Sequence, residues 1–283
     1  MKARLLLCPA LLLLSLQAIA QPEQPHQRVR TVTIPISIFT KKELKERKAD
    51  EFVQVETITV KEDNEVQQIL SIRSVTDTPL SIAVLVQEDL AGGFNNQLND
   101  IRDFIKGLPK GTRVMTAYLH AGSPQILQKW TDDLDAAAKS LRIISSSPLN
   151  SPRSPYDGVS DILARFDAIP AGRRSVLLFS DGLDTSAGLN LASITQSFDL
   201  EQAIQRAQKR SVALYSFYYP TSASGTISPI FSGAGQGALQ KLSDETGGRA
   251  FGLGIIEPPS FQPYFRDLEM TLSRQFALSY IST

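Results

Sequence analysis

The stretch LSIAVLVQEDLAGG, residues 80–93, joins a continuous apolar run to a small acidic loop. The run IAVLV at residues 82–86 is typical of a strand that is buried on both faces of a parallel sheet. Three polar side chains follow it directly: Gln87, Glu88 and Asp89. In open α/β sheets, ligands bind beside the carboxyl ends of the strands. The stretch therefore predicts a central strand with a candidate binding loop at its end.

A second apolar run ends in the same way. In RSVLLFSDGLD, residues 174–184, the apolar residues 176–179 precede Asp181 and Asp184. Because neighbouring parallel strands end at one edge of the sheet, we expect Asp181 to lie near the acidic loop at residues 87–89.

The chain between these two runs and beyond them alternates strands with amphipathic helices. For example, one helical face is predicted by apolar residues spaced four, three, four and three apart: Phe94, Leu98, Ile101, Ile105 and Leu108. The pattern predicts an α/β fold, a doubly wound, mostly parallel sheet flanked by helices on both faces. We expect it to span residues 77–276.

A smaller β region precedes this domain. Apolar residues alternate strictly at Val32, Ile34, Ile36 and Ile38, and a hairpin is indicated at Asp63 and Asn64. Residues 30–76 are therefore predicted to form a small N-terminal β subdomain. Residues 277–283 alternate again and predict a C-terminal strand that can pair with it.

The first residues are typical of a secretory signal peptide. Lys2 and Arg4 precede an apolar run at residues 5–16 and the small residues AIA at 18–20. We expect residues 1–20 to be a signal peptide and residues 21–29 an unstructured lead, which predicts an exported protein, periplasmic or extracellular, with no stable membrane span after cleavage. Retention as an uncleaved anchor stays open. Cys8 is the only cysteine and lies in this segment, which leaves no thiol or disulfide for the mature chain.

The charge balance and the missing motifs exclude several functions. Lys+Arg and Asp+Glu are equal at 29 each, so no basic field favours nucleic acid. No dinucleotide-binding fingerprint follows the first α/β strand, and neither a P-loop nor a nucleophile elbow occurs. His26 and His120 are the only histidines, and neither has the setting of a catalytic base. We predict a protein that is not an enzyme; a hydrolase using Glu88, Asp89 and Asp181 is the weakest alternative.

Several phrases together resemble the von Willebrand factor A (VWA) domain: PLSIAVLV, SPYDGVSDIL and LLFSDGLDTSAG. More narrowly, AGRRSVLLFSDGLD and LSDETGGRAF are similar to the secreted VWFA-related acidobacterial family, over residues 29–283. The resemblance implies a Rossmann-like doubly wound fold carrying a metal-ion-dependent adhesion site. In the family, that site consists of a D-x-S-x-S loop, a threonine and an aspartate.

This chain departs from the family's site. Gln87 stands at the first aspartate, Asp89 and Ala91 stand at the two serines, and Ser154 is the substitute for the threonine. Asp181 alone matches. The resemblance thus implies a degenerate site.

Two states of this degenerate site stay open. Asp89, Asp181 and Ser154 could ligate Mg²⁺, Mn²⁺ or Ca²⁺, with three further side chains behind them: Gln87, Glu88 and Asp184. Alternatively, Gln87 could hydrogen-bond Asp181 and close the site without metal.

The favoured interpretation is an exported, non-enzymatic binding or adhesion module that needs no obligatory metal. It would recognise a protein or cell-surface ligand through the loops at the carboxyl ends of the strands. The candidate ligand-binding residues are Glu88, Asp89, Ser154, Asp184 and Thr185. The alternative is an adhesion module that depends on a divalent metal held by Asp89 and Asp181. The partner's identity and the oligomeric state are not encoded in any of these patterns.

Overall fold

The structure is a computed structural model that describes residues 30–38, 58–73, 79–145, 153–188, 196–221, 229–254 and 257–282. The predicted signal peptide at residues 1–20 and the lead at residues 21–29 lie outside these ranges.

A small antiparallel sheet joins the two ends of the described chain. Its strands are β1 (Arg30–Ser37), β4 (Ile69–Arg73) and the last strand, β11 (Gln275–Ser282), in the order β1-β11-β4. A hairpin of β2 (Val60–Glu62) and β3 (Glu65–Gln67) turns at Asp63 and Asn64, which both adopt positive φ. The first strand, Arg30–Ser37, thus pairs along its whole length with the final strand of the chain.

The central sheet has six strands in the order β10-β9-β8-β5-β6-β7. These strands are β5 (Leu80–Gln87), β6 (Arg113–His120), β7 (Ser123–Thr131), β8 (Arg173–Ser180), β9 (Val212–Tyr218) and β10 (Arg249–Phe251). All neighbouring pairs are parallel except β6 and β7, which are antiparallel. We call the edge at which the five parallel strands end the carboxyl edge.

In the described part of the chain, six α-helices cover the two faces of this sheet. They are α1 (Leu98–Gly107), α2 (Leu134–Lys139), α3 (Pro155–Arg165), α4 (Phe198–Arg210), α5 (Pro229–Asp244) and α6 (Gln262–Ser273). Successive residues of β5 point to opposite faces, so Val84 joins the core beneath α1, α2 and α6, whereas Leu85 joins the core beneath α3, α4 and α5. The doubly wound α/β fold predicted from the sequence is confirmed.

Three local expectations were wrong. Phe94 lies in a 3-10 turn, Gly92–Gln97, and not in α1. The spacing of Leu268, Leu272 and Phe276 predicts that the last helix continues to Phe276, but this helix ends at Ser273 and Phe276 belongs to β11. The small and glycine residues up to Gly237 predict a loop, but the chain is helical from Pro229 onward. Gly235 allows α5 to approach the loop after β8, because a Cβ at this position would lie only 2.3 Å from the Asp181 carbonyl oxygen.

Within the ranges that the structure describes, no helix combines the length and the apolar character that crossing a membrane requires.

Candidate functional site

The two acidic loops meet at the carboxyl edge because β5 and β8 are neighbours. Val86 pairs with Phe179 in the parallel ladder, so the chains leave the sheet side by side after Gln87 and Ser180. Asp89 and Asp181 are both buried here, each with only 2 % of its surface exposed. The two acidic loops are therefore adjacent, as the sequence predicts, and their carboxylates lie close together.

A side chain that the sequence reasoning missed joins the two carboxylates. The Arg153 Nη2 atom lies 2.8 Å from Asp89 Oδ2 and 2.8 Å from Asp181 Oδ2. Arg153 is itself 8 % exposed, so the guanidinium is enclosed together with its partners. The only sequence signal was its place next to Ser154, the position at which the resemblance implies a metal-binding hydroxyl.

Backbone hydrogen bonds fix Arg153 in this position. Its N–H donates to Thr185 Oγ1 at 3.2 Å, and its carbonyl accepts from the Thr185 N–H at 2.7 Å. Thr185 therefore holds the segment before α3 against the loop after β8. The guanidinium therefore extends from a residue whose backbone is hydrogen-bonded on both sides of its Cα.

Gln87 completes the cluster as a neutral linker. Its Nε2 donates to Asp89 Oδ1 at 2.8 Å, and its Oε1 accepts from Ser180 Oγ at 2.5 Å and from the Asp181 N–H at 3.4 Å. The expected direct bond between Gln87 and Asp181 thus goes to the Asp181 backbone and not to its carboxylate. A carboxylate in place of Gln87 could not donate to Asp89. We call Gln87, Asp89, Arg153 and Asp181 the Arg153 cluster.

Burial and charge act in opposite directions on the ionisable groups of the cluster. Burial raises the pKa of Asp89, and the neighbouring Asp181 charge adds to this, while Arg153 opposes it without cancelling the rise. Burial alone would lower the pKa of Arg153, but the carboxylates of Asp181 and Asp89 outweigh it and raise that pKa. Arg153 is therefore cationic at every physiological pH. With both aspartates ionised, the cluster has one net negative charge.

The donor set of the cluster does not fit the divalent ion that the resemblance implies. Asp89 Oδ2 and Asp181 Oδ2 share the Arg153 guanidinium, Asp89 Oδ1 accepts from Gln87, and Asp181 Oδ1 accepts from the Leu183 N–H at 3.0 Å. Each of the four carboxylate oxygens already has a donor. Across the part of the chain that the structure describes, no group of three or more histidine, cysteine, aspartate or glutamate residues could hold an ion.

Ser154 lies beside the cluster but bonds to neither aspartate. It is the residue before the first turn of α3, and its hydroxyl makes no capping bond. Its Oγ is buried and has no hydrogen-bond partner among the residues that the structure describes. The backbone of the β6–β7 turn packs on it so closely that a Cβ at Gly122 would lie 2.8 Å from the Ser154 carbonyl oxygen. Of the three expected metal ligands, only Asp89 and Asp181 are therefore brought together, and the Ser154 hydroxyl hydrogen-bonds to neither of them.

Asp184 accepts hydrogen bonds that order the chain at the N-terminus of α4. Its Oδ1 accepts from the Ser186 N–H at 3.0 Å and from Ser186 Oγ at 2.6 Å, and its Oδ2 accepts from the hydroxyl of Ser197. Ser197 in turn caps α4 by accepting from the Leu200 N–H at 3.0 Å. An open pocket of about 380 Å³ lies over these groups, and Phe198 forms part of its wall.

Glu88 faces away from its neighbour Asp89. It accepts from His120 Nδ1 at 2.6 Å and forms an ion pair with Arg142 at the outer margin of the carboxyl edge. Arg142 also lies 4.8 Å over the Tyr118 ring. Glu88 is therefore part of a surface ion-pair group and is separate from the Arg153 cluster.

Four large apolar side chains are exposed at the same edge of the sheet as the cluster. We define the apolar rim as four residues at the carboxyl edge: Ile143, Phe198, Ile230 and Leu253. Ile143 lies between Arg142, which pairs with Glu88, and Ile144, whose N–H donates to Asn95. Phe198 and Ile230 lie in the first turns of α4 and α5, and Leu253 follows β10. Phe198 is 74 % and Ile143 is 70 % exposed.

The chain has a von Willebrand factor A-like fold, as its sequence resemblance predicts. It matches no protein-family profile, and no curated protein is similar to it in sequence. Among solved structures, it resembles an aerotolerance-related membrane protein from Bacteroides fragilis, with 12 % identity and a TM-score of 0.50, over 68 % of this chain and 98 % of that one.

Two others among the similar solved structures show the same likeness. One is a von Willebrand factor type A protein from Catenulispora acidiphila, with 14 % identity and a TM-score of 0.48, over 77 % of this chain and 52 % of that one. The other is the conserved hypothetical protein BatB from Bacteroides thetaiotaomicron, with 14 % identity and a TM-score of 0.48, over 68 % and 98 % of the two chains. Similarity at this level of identity concerns the fold alone.

Proposed function

We propose that the protein is an exported, non-enzymatic binding module that holds a protein ligand on the loops of the carboxyl edge, without obligatory metal. The apolar rim, which lies at the same edge of the sheet as the closed Arg153 cluster, carries this proposal. Single exposed apolar residues are ordinary, but grouped ones mark interaction surfaces. Seven large hydrophobic side chains are exposed in the described part of the chain, and four of them lie at this one edge.

The charges at this edge favour an apolar contact over an acidic one. A ligand carboxylate would approach a guanidinium that is 8 % exposed and already paired with two aspartates. When both aspartates are ionised, the net negative charge of the cluster also repels an anion. We therefore expect the partner to bind through apolar groups that cover Phe198, Ile143 and Ile230, and not through an aspartate or glutamate inserted into the cluster.

The setting of the histidine supports a non-enzymatic role. His120 Nδ1 is bonded to Glu88, and its side chain is 51 % exposed. Among the described residues, no serine, threonine or cysteine side chain hydrogen-bonds to His120, so it has no nucleophile to activate. Export rests on the signal-peptide pattern of residues 1–20.

One observation favours the metal-dependent adhesion module as a second candidate. Asp89 and Asp181 do converge on a common cation, even though that cation is Arg153. In this alternative, a divalent ion would displace the guanidinium, and ligand binding would then depend on the ion.

The test is capture of partners from an envelope fraction by the immobilised mature chain. We expect Phe198→Ser to weaken retention of the captured partner by roughly tenfold or more, since buried aromatic residues dominate interface energies. The matched control is Val66→Ser, because Val66 is 69 % exposed but lies in the β2–β3 hairpin; it should bind like the wild type.

Repeating the capture in EDTA separates the two candidates. Retention that is unchanged in EDTA supports the metal-independent module, whereas loss in EDTA and recovery in Mg²⁺ supports the second candidate. Equal retention by Phe198→Ser and the wild type would contradict the role of the apolar rim.

A further inference from the structure

We infer that Arg153 is a built-in replacement for a metal ion. Its guanidinium holds the position between Asp89 and Asp181 that a divalent cation would take, and these aspartates form a latent cation site that opens when the Arg153 side chain is removed. The inference does not rest on the proposed binding function, because it concerns only what neutralises the two carboxylates.

The carboxylates are oriented independently of the arginine. Asp89 Oδ1 is held by the Gln87 amide at 2.8 Å, and Asp181 Oδ1 is held by the Leu183 N–H at 3.0 Å. Their remaining oxygens, both Oδ2, meet the same nitrogen atom at 2.8 Å. Removing the guanidinium therefore leaves two carboxylate oxygens directed at one common point.

Without Arg153, the carboxylates of Asp89 and Asp181 lack a counter-charge. Asp89 and Asp181 are each 2 % exposed, so solvent screens them poorly once Arg153 is gone. Two buried carboxylates without a counter-charge destabilise the fold. A hard divalent ion would neutralise both, with water in the space left by the side chain completing an oxygen shell.

The wild-type chain resists this exchange. A divalent ion at the common point would displace a guanidinium whose backbone is hydrogen-bonded to Thr185 through both its N–H and its carbonyl. The displaced charge would stay enclosed without a carboxylate partner, which is costly. We therefore expect Mn²⁺ and Mg²⁺ not to bind to this site in the wild-type protein.

The experiment measures Mn²⁺ binding by electron paramagnetic resonance and the melting temperature of the same samples. We expect Arg153→Ala to melt roughly 10 °C below the wild type in EDTA. At Mn²⁺ about 100 times its Kd, the variant should recover about 5–10 °C. The wild type should show neither Mn²⁺ binding at this site nor a melting shift, and Arg153→Ala with Asp181→Asn should lose the Mn²⁺ response.

Arg142→Ala is the matched control, because it removes an arginine that pairs with Glu88 on the surface. It should gain no Mn²⁺ binding. If Arg153→Ala does not fold in EDTA, its refolding yield with and without Mn²⁺ becomes the readout, and Mn²⁺-dependent refolding supports the inference.

Three results would overturn the inference. The first is Mn²⁺ binding by the wild type that Asp181→Asn abolishes. The second is a folded Arg153→Ala that binds no Mn²⁺, and the third is an unfolded one that Mn²⁺ does not rescue. All these readouts use the purified chain without a partner, so failure to find a protein ligand leaves the inference standing.

Discussion

Gln87 determines how much negative charge the Arg153 cluster carries. It donates to one carboxylate and accepts from the hydroxyl of Ser180, so it satisfies two polar groups without adding charge. Arg153 is the one cation bonded to Asp89 and Asp181 in the described structure. The cluster thus has one cation for two carboxylates, and a third acidic group would have no partner.

We expect Gln87→Glu, which keeps the shape of the side chain, to reduce the free energy of unfolding by roughly 2–4 kcal/mol at pH 7. The raised pKa of Asp89 shows that burial already disfavours charge at this point. An acid whose folded pKa is raised destabilises the fold at neutral pH, and this cost is lost as the pH falls through the folded pKa to the unfolded value of about 4.

Urea unfolding of the wild type and Gln87→Glu from pH 7 to pH 4 measures this difference. The deficit should be largest at pH 7 and shrink toward pH 4. The control is Gln125→Glu on the exposed side of β7, which should change stability by no more than about 0.5 kcal/mol. A deficit that stays constant over this pH range would show that shape, not charge, is at fault.

The sequence could predict the two carboxylates of the site but not the cation between them. Asp89 and Asp181 follow apolar strands, and the adjacency of parallel strands brings their loops together. Arg153 belongs to no strand or helix, and its position depends on hydrogen bonds to Thr185 that connect distant parts of the chain. No periodicity or local motif encodes such a tertiary contact.

At the scale of elements, α5 is a helix with three glycines, of which one is required by packing. Gly233, Gly235 and Gly237 lie among its first nine residues and predict a loop, because glycine destabilises helices. A tertiary contact requires glycine, despite its low helix propensity, only at Gly235. A Cβ at Gly235 would meet the Asp181 carbonyl at 2.3 Å, whereas a Cβ at Gly233 or Gly237 would meet no atom of another described segment within 4 Å.

The three glycines should therefore respond to alanine with opposite signs. Gly235→Ala forces α5 away from the loop that carries Asp181, and we expect it to cost about 2–3 kcal/mol. Gly233→Ala and Gly237→Ala each improve helix propensity in open space and should stabilise by about 0.5–1 kcal/mol. Chemical denaturation of the three variants measures these differences, and a neutral or stabilising Gly235→Ala would contradict the close packing.

At the scale of the whole molecule, the two ends of the described chain form one sheet. β11 lies between β1 and β4, and its pairing with β1 runs from Arg30 opposite Ser282 to Ser37 opposite Gln275. The alternating pattern at residues 277–283 predicts a strand. In the structure, this strand is part of β11, which pairs with β1 on one side and β4 on the other. The central sheet, in contrast, forms between segments that are closer in sequence, such as β5 and β6.

This difference in sequence separation leads to a prediction about folding order. Closing a loop that spans almost the whole chain costs conformational entropy before any contact is gained. We therefore expect β11 to pair with β1 after the central sheet has formed. Interactions made late in folding slow unfolding but do not speed folding.

Leu278→Ala tests this order, because Leu278 lies in β11, is 1 % exposed and is opposite Ile34 of β1. The substitution should cost about 2–4 kcal/mol and appear mainly as unfolding that is roughly tenfold or more faster, with a φ-value below about 0.3. Val84→Ala in the buried strand β5 is the comparison, and it should slow refolding measurably. If Leu278→Ala slowed refolding as much as Val84→Ala, the chain ends would have to meet in the transition state, and the central sheet could not form first.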